Sequence, residues 1–405
     1  MIDRPFYTDR IMAFADTPFV KVLSGVRRCG KSTIAALLAQ KLQKERNVPA
    51  ERIVTMHLDS GQYEGMTAKD LFRAVQGRLS TRGKTYVFLD EVQEIAGWEK
   101  AANSLASEQD IDLYVTLAGS AAKMLSSDTA AYLTGRYISF CIYTLSFAEH
   151  LAFKRHYAVT GDAQAELADY IRLGGFPAAH LRQMQQDEVQ TLVQDICSSA
   201  LYADIVKRSR IRSVDLLERT ARYAFANAGR PVSARTAADC LKSRHRPAGR
   251  EAVKSCLAKL EEAGLLHRCR RCDLRSGSIL QTRAKFYPAD TSLCIRLLDS
   301  TQDIAASALE NAVFLELCRR GYDTAAGSTP DGSTVFAAQK QNDRLYVQMQ
   351  TAQGTGSEGA VQRQYGQFLK IRDNHPKYVL RTDSFAGGSY KGIACMHAAD
   401  FLLGL

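Results

Sequence analysis

Read for its apolar and polar positions, the first 150 residues of this chain switch repeatedly between two patterns. Predominantly apolar runs occur at Phe19–Leu23, Ile53–Leu58, Tyr86–Leu89, Leu113–Leu117 and Ile138–Ile142. Short continuous runs of this kind suit strands buried on both faces of a parallel sheet. Between them, the stretches 32–46, 67–80, 97–107 and 120–133 carry helical spacing. Strand and helix in alternation predict an α/β fold with a doubly wound parallel sheet.

The pattern then changes. From Ser146 to about residue 204 it is helical, broken at Gly174-Gly175-Phe176-Pro177, where a glycine pair before Phe-Pro sets a turn. A helix is expected over Val214–Ala226, and a second, capped by Ser233, runs to Leu241. Gly249 opens a third, with Val253, Cys256, Leu257 and Leu260 on one face and Gly264 past its end. The alternation from Leu265 to Leu280 then predicts a β-hairpin with Ser276-Gly277 at its tip. Three helices and a hairpin in this order describe a winged-helix module. A helix around Leu309–Arg320 and strand-like runs at Val335–Ala338, Leu345–Met349, Tyr378–Arg381 and Gly392–Met396 predict a small α/β module at the end. The expected division is a core over 1–150, a helical connector over 151–204, a winged-helix module over 205–300 and the α/β module over 301–405.

Composition sharpens this in one place. Between Ile205 and Asp290 there are 20 Lys and Arg against 8 Asp and Glu, whereas the rest of the chain has 33 against 35. The whole net charge of +10 is therefore regional and marks a basic module whose candidate partners are DNA or a protein. No apolar stretch is long enough for a membrane-crossing helix, so no membrane partner is expected. Met1-Ile2-Asp3-Arg4-Pro5 lacks the order of a secretory signal, and the ten cysteines form no framework. The expectation is a cytoplasmic protein with reduced thiols.

The strongest chemical signal is Gly25-Val26-Arg27-Arg28-Cys29-Gly30-Lys31-Ser32, followed by Thr33, which fits GxxxxGK[ST] between a strand and a helix. In that context backbone N–H groups and the positive helix end face one point, where the phosphates of ATP can sit. Lys31 is expected to reach the β- and γ-phosphates, and the Ser32 hydroxyl to bind Mg²⁺. The run Tyr86-Val87-Phe88-Leu89 ends in Asp90 and Glu91, carboxylates at the C-terminal end of a buried strand, where ligands of open α/β sheets bind. Asp90 is expected to hold Mg²⁺ through water, and Glu91 to polarise the attacking water as general base.

The ordered set of motifs resembles the bacterial and archaeal AAA-type ATPases whose C-terminal half is a conserved domain of unknown function. It comprises the phosphate loop, Phe88-Leu89-Asp90-Glu91-Val92-Gln93, Gly97-Trp98-Glu99-Lys100, Ala118-Gly119-Ser120, Leu133-Thr134-Gly135-Arg136-Tyr137, Leu145-Ser146-Phe147, Gly174-Gly175-Phe176-Pro177 and Lys370–Leu380. The resemblance implies a γ-phosphate sensor at Ser120, although Ala121 stands where many relatives have Asn or Ser. It implies for Gln93 a role in positioning Glu91 or reporting on the γ-phosphate. Arg136 matches the family's Gly-Arg, read either as an arginine finger or nucleotide sensor or as a structural arginine capping the following strand. Such fingers act across subunits in this family, which admits a homo-oligomer. Trp98 reads as a core anchor in preference to a stacking platform.

In the basic module, Arg250, Lys254 and Lys259 on the third helix, Arg244 and Arg246 before it, and Arg270, Arg271 and Arg275 in the hairpin are candidate phosphate contacts. The alternative is a winged helix used for protein interaction. Cys269-Arg270-Arg271-Cys272 has metal-ligand spacing, but a single pair is weak evidence for zinc. The resemblance also gives the last module a PD-(D/E)xK nuclease-like core led by Glu310. The expected acidic residue falls at Val335, and the E-x-K pair reads Gln348-Met349-Gln350. Amides are poor Mg²⁺ ligands, so the scaffold is expected to have no nuclease activity, and Asp331 or Asp343 stands at the wrong spacing to substitute. The leading expectation is thus a Mg²⁺-dependent ATPase driving a basic C-terminal region, with a slow-turnover nucleotide-gated switch as the alternative.

Overall fold

The computed structural model describes the chain apart from residues 122–132, 134, 158–160, 182–183, 185, 209–210, 212, 243–247, 275, 296–301, 329–333, 351–364, 384–386 and 405. Most of the helix expected over 120–133, together with Arg244, Arg246, Arg275 and Asp331, lies outside the described residues. The chain divides into two compact units, Met1–Tyr143 with Glu262–Gly264, and Thr144–Glu261 with Leu265–Leu405.

The first unit is built on five parallel strands, β1 (Val20–Gly25), β2 (Ile53–His57), β3 (Thr85–Asp90), β4 (Ile111–Ala118) and β5 (Tyr137–Cys141), in the order β2-β3-β4-β1-β5. Every residue of β1, β3 and β4 is buried, whereas edge strand β2 alternates, which is why only the central strands read as unbroken apolar runs. Helices α1 (Pro5–Met12), α2 (Lys31–Arg46), α3 (Ala68–Gln76) and α4 (Trp98–Ala106) complete the described part of the unit. A reciprocal Thr67–Asp70 capping box starts α3. Trp98, only 4% exposed, packs in the core with Leu71, Val75, Leu89 and Val115, as an anchor.

The second unit carries helices α5 (Phe147–His156), α6 (Ala163–Leu173), α7 (Gln186–Ser199), α8 (Val214–Ala226), α9 (Ala234–Leu241), α10 (Arg250–Glu262), α11 (Ser292–Ile295), α12 (Gln302–Arg319) and α13 (Ala398–Leu403). Its strands are β6 (Pro231–Val232), β7 (Leu266–Cys272), β8 (Ile279–Pro288), β9 (Asp323–Ser328), β10 (Thr334–Lys340), β11 (Asp343–Met349), β12 (Lys377–Arg381), β13 (Gly388–Tyr390) and β14 (Ile393–His397). They form one nine-stranded sheet in the order β13-β14-β12-β11-β10-β9-β7-β8-β6. The division expected at residue 300 is crossed by this sheet, because β7 of the hairpin pairs in parallel with β9 through Arg270↔Ala325 and Arg271↔Ala326. Such pairing uses backbone N–H and C=O groups, which leave no mark on the side-chain pattern.

The segments Leu145-Ser146-Phe147 and Gly174-Gly175-Phe176-Pro177 meet in space. Ser146 and Glu149 form a capping box at the start of α5, and the Leu145 N–H donates to the Gly175 carbonyl at 2.6 Å. Buried Asp290 accepts the Gly175 N–H at 2.8 Å and is also held by Ser292, while burial raises its pKa above the ordinary carboxylate value. Gly174 has φ +77, and a Cβ there would lie 1.9 Å from Asp290 Oδ1, so the glycine is required by close approach as well as by backbone angle.

Beside this turn, His180 Nε2 lies 2.8 Å from the Gly174 carbonyl, so it carries the proton, and His180 Nδ1 accepts from His150 Nδ1 at 3.3 Å. Burial pulls His150 down to about 3 and lowers His180. The unfolded chain takes up these protons near 6.5, so below that pH it binds more protons than the folded chain, and stability falls as pH drops toward 3. For His150 the loss at about pH 5 is about 2 kcal/mol. Urea unfolding at about pH 7.5 and about pH 5 measures it, and in His150→Gln that part of the pH dependence should be absent.

Candidate active site

The site is built where β1, β3 and β4 end on the same edge of the first sheet. The loop Gly25–Gly30 turns from β1 into α2. A Cβ on Gly25 would lie 2.2 Å from the Ile142 carbonyl, so only glycine lets the loop leave the sheet this closely. Arg28 and Gly30 adopt positive φ (68° and 103°), and Gly30 stands at the N-cap of α2 without a side-chain cap. The first-turn amides of α2 are therefore not engaged by a capping side chain, the arrangement that receives an anionic ligand. Val26 and Cys29 are buried walls, and burial raises the Cys29 thiol's pKa. Arg4, which no sequence pattern marks, braces the loop: its guanidinium donates to the Cys29 carbonyl at 2.8 Å and the Tyr143 carbonyl at 3.0 Å.

Lys31 is 3% exposed, and its Nζ donates to the Gly25 and Val26 carbonyls at 3.3 and 3.2 Å. Ser32 Oγ donates to Asp90 Oδ1 at 3.0 Å. Thr33 faces outward from α2. A hydroxyl and a carboxylate side by side are hard oxygen donors that suit Mg²⁺, so the residues present fit that ion. Asp90 is further gripped by the Thr116 hydroxyl, and His57 Nδ1 lies 3.1 Å from its second oxygen.

Glu91 is 7% exposed and has φ +54, a conformation that costs a non-glycine residue on the order of 1 kcal/mol or more. It is held there by its N–H, which donates to Thr116 Oγ1 at 3.0 Å. Its carboxylate lies 3.8 Å from Lys31 Nζ and 3.9 Å from Arg27 Nη2. Gln93 connects it to the neighbouring strand: the amide nitrogen donates to Glu91 Oε2, and the amide oxygen accepts the Ala118 N–H at 3.2 Å. Just past Ala118, the Gly119 N–H donates to the Gly25 carbonyl at 2.9 Å, which brings the Gly119-Ser120 turn against the loop.

Arg136 is elsewhere. Its neighbour Tyr137 is paired with Val20, so Arg136 stands at the N-terminal edge of the sheet, opposite the edge that carries Gly25. Its guanidinium donates to Asn103 at 2.9 Å and Ser107 at 3.4 Å. It is not part of the site formed by its own chain. Thr116 and His57 were missed in the sequence. Thr116 is the one aliphatic hydroxyl in the buried run Leu113–Leu117, which is a signal in retrospect, whereas His57 is tied to Asp90 only through strand register.

In the second unit Arg250 and Lys254 lie exposed along α10, and Arg271 lies on β7. Glu310 accepts from the Tyr287 hydroxyl at 2.5 Å and the Thr334 hydroxyl at 2.9 Å, with Lys285 Nζ at 3.4 Å. Val335 and Gln348 are direct partners across β10 and β11. Cys269 and Cys272 are both buried, the Cys269 thiol donating to the Thr324 carbonyl at 3.4 Å. Among the described residues no three His, Cys, Asp or Glu side chains are placed to hold a metal, and no helix is long and apolar enough to cross a membrane.

A glycine loop on β1, paired carboxylates on β3 and the five-strand order define an AAA-type P-loop ATPase fold. An AAA domain family matches residues 17–151, and a domain of unknown function (DUF8612) matches 164–303. The chain belongs to the same family as a Haemophilus influenzae protein described as "Uncharacterized protein", which is 30% identical over 412 residues, covering 100% of this chain and 99% of that one. "Uncharacterized protein MJ1544" of Methanocaldococcus jannaschii is 27% identical over 317 residues, covering 75% of this chain and 67% of that one. Among solved structures, the Aeropyrum pernix ORC2 protein in ADPNP–ADP complexes is 13% identical with a TM-score of 0.41, covering 77% of this chain and 92% of that one.

Proposed function

We propose that the chain is a Mg²⁺-dependent ATPase of AAA type whose turnover drives or gates a basic C-terminal region that acts on DNA. The observation that carries this reading is the convergence of Lys31, Ser32, Asp90 and Glu91 on one strand edge beside an uncapped helix N-terminus. Gly25–Thr33 hold the nucleotide phosphates, with Lys31 on the β- and γ-phosphates. Ser32 and Asp90 hold the Mg²⁺, which when bound neutralises phosphate charge. Glu91 takes the proton of the attacking water, and Gln93 orients Glu91. Ser120, on the turn held against the loop by the Gly119–Gly25 hydrogen bond, senses the terminal phosphate in this reading. Purified protein should hydrolyse ATP with Mg²⁺, and Lys31→Met should weaken ATP binding by roughly 10–100-fold. A variant with undiminished affinity and turnover would overturn the reading.

The order α8, β6, α9, α10, β7, β8, with β6 and β7 both pairing β8, supports a winged-helix module. Arg250, Lys254 and Arg271 are its phosphate-contact candidates, and Arg246 is a further one outside the described residues. The strands after α12 support a nuclease-like scaffold without nuclease activity, since Lys285, Tyr287 and Thr334 already satisfy the Glu310 carboxylate. A slow-turnover switch is the second reading. The place of Arg136 favours it, since the chain's own site must work without this arginine. If instead a homo-oligomer supplies Arg136 across subunits, specific activity should rise with protein concentration.

A further inference from the structure

A concave groove of about 850 Å³ opens between the α9–α10 pair and the β7–β8 hairpin. Arg235, Arg250 and Lys254 line its helical wall. Arg268, Arg270, Arg271 and Arg283 line its hairpin wall. No Asp or Glu is among the described lining residues, and the apolar part is formed by Leu257, Phe286, Ile279 and Leu280. Seven cations line one concavity, and although Arg235 and Lys254 lie within 4.0 Å of the helix-surface carboxylates Asp239 and Glu251, the groove itself presents an excess of positive charge.

The hairpin is distorted in the way this arrangement needs. On a regular strand Arg270 and Arg271 would point to opposite faces. The register of β7 against β8 shifts between Cys269 and Arg271: Cys269 pairs with Lys285, but Arg271 pairs with Leu280. Within the excess stretch of β8, Arg283 takes φ +56, a left-handed conformation unusual for arginine. Both irregularities bring arginines to the groove, and bulges commonly re-aim side chains at functional sites. Arg268 is braced by Glu261 at 2.7 Å and Arg270 by Asp323, two carboxylates outside the groove lining, which fix these guanidiniums while leaving further N–H donors on each.

We infer that this groove binds the sugar–phosphate backbone of a nucleic acid. The inference rests on the proposed action of the basic region on DNA and identifies where contact is made. Six of the seven cations are arginines, whose planar forks match phosphate oxygens. A nucleic-acid strand presents evenly spaced charges separated by less polar sugar faces, which fits cationic walls around an apolar floor. Ile279 and Leu280 are 43% and 39% exposed, so this floor is accessible.

Fluorescence anisotropy of the full chain with a labelled mixed-sequence oligonucleotide, as single strand and as duplex, tests the inference across a salt series. A poly-glutamate peptide is the competing polyanion. Wild type should bind the oligonucleotide in at least one form and prefer it to the peptide, and the two arms tell which form it takes. The double variant Arg250→Glu, Arg271→Glu should lose roughly 10–100-fold in affinity and about two units of salt slope. Arg283→Gly, which keeps the positive φ and removes the cation, should lose about one unit of slope. Arg222→Glu, in the same basic region but outside the groove lining, should change binding little. Thermal unfolding of each variant checks folding. Loss of binding in Arg222→Glu with none in the groove variants would overturn the groove while keeping DNA contact elsewhere. No binding by wild type would overturn both, and preference for the peptide would reassign the groove to a protein partner.

Discussion

Replacing Glu91 by Gln is expected to lower ATP turnover by roughly 10²–10⁴-fold while leaving nucleotide binding in place. The amide keeps the volume and the hydrogen bond with Gln93 but cannot accept a proton from water. Two features suit the carboxylate to the proposed role of base. It is buried, and both its backbone and its side chain are held by neighbours on β4 and by Gln93. A group already positioned needs no reorganisation as the reaction proceeds. The effect should fall on kcat in single-turnover measurements, with the affinity for ATP within a few-fold of wild type. Equal turnover in wild type and variant would remove Glu91 from the chemistry and favour the switch reading.

Replacing Asp112 by Ala is expected to destabilise the first unit by about 3–5 kcal/mol. Lys21, on central strand β1, and Asp112, on β4, form an ion pair whose side chains are both 0% exposed. Burial lowers the Lys21 pKa, and Asp112 opposes that shift. Asp112 also accepts the Tyr114 hydroxyl and the Asp16 N–H, each at 2.9 Å. Truncation therefore leaves a buried ammonium hydrogen-bonded to the Thr17 carbonyl at 3.1 Å and set over the Tyr114 ring, with no carboxylate in direct contact among the described residues, and orphans two further donors. The double variant Lys21→Met, Asp112→Leu should recover most of the loss, because it removes both charges together. Denaturant unfolding of the two variants and wild type measures this directly. A loss under about 1 kcal/mol in Asp112→Ala would show that water or a neighbour compensates Lys21.

The candidate site was legible where its parts are contiguous. Gly25–Thr33 form a loop and helix start within one short segment, and Asp90-Glu91 end a run whose burial on both faces is itself a pattern. The positive φ of Glu91, its support by Thr116 and the Asp90–His57 contact all depend on which strands are neighbours. Strand order joins β3 to β4 and β2 although helices separate them in the chain, so no local period reports it. Arg136 shows the same limit from the other side: its motif carries a role, but the parallel register of β5 with β1 sends it to the far edge.

The basic region makes the contrast sharper. Its charge excess is a property of composition and needs no structure to be seen. Whether its cations scatter over solvated faces or converge is decided by the shifted register of one hairpin and by the packing of α10 beside it. The sequence by itself determined the phosphate loop, the carboxylate pair, the element types and the regional charge, because each is encoded within a few turns of chain. Only the tertiary structure decided the clamp on Glu91, the place of Arg136, the continuous nine-stranded sheet and the cationic groove. Those rest on backbone pairing and burial between segments far apart in the chain, where side-chain pattern carries no record of the partner.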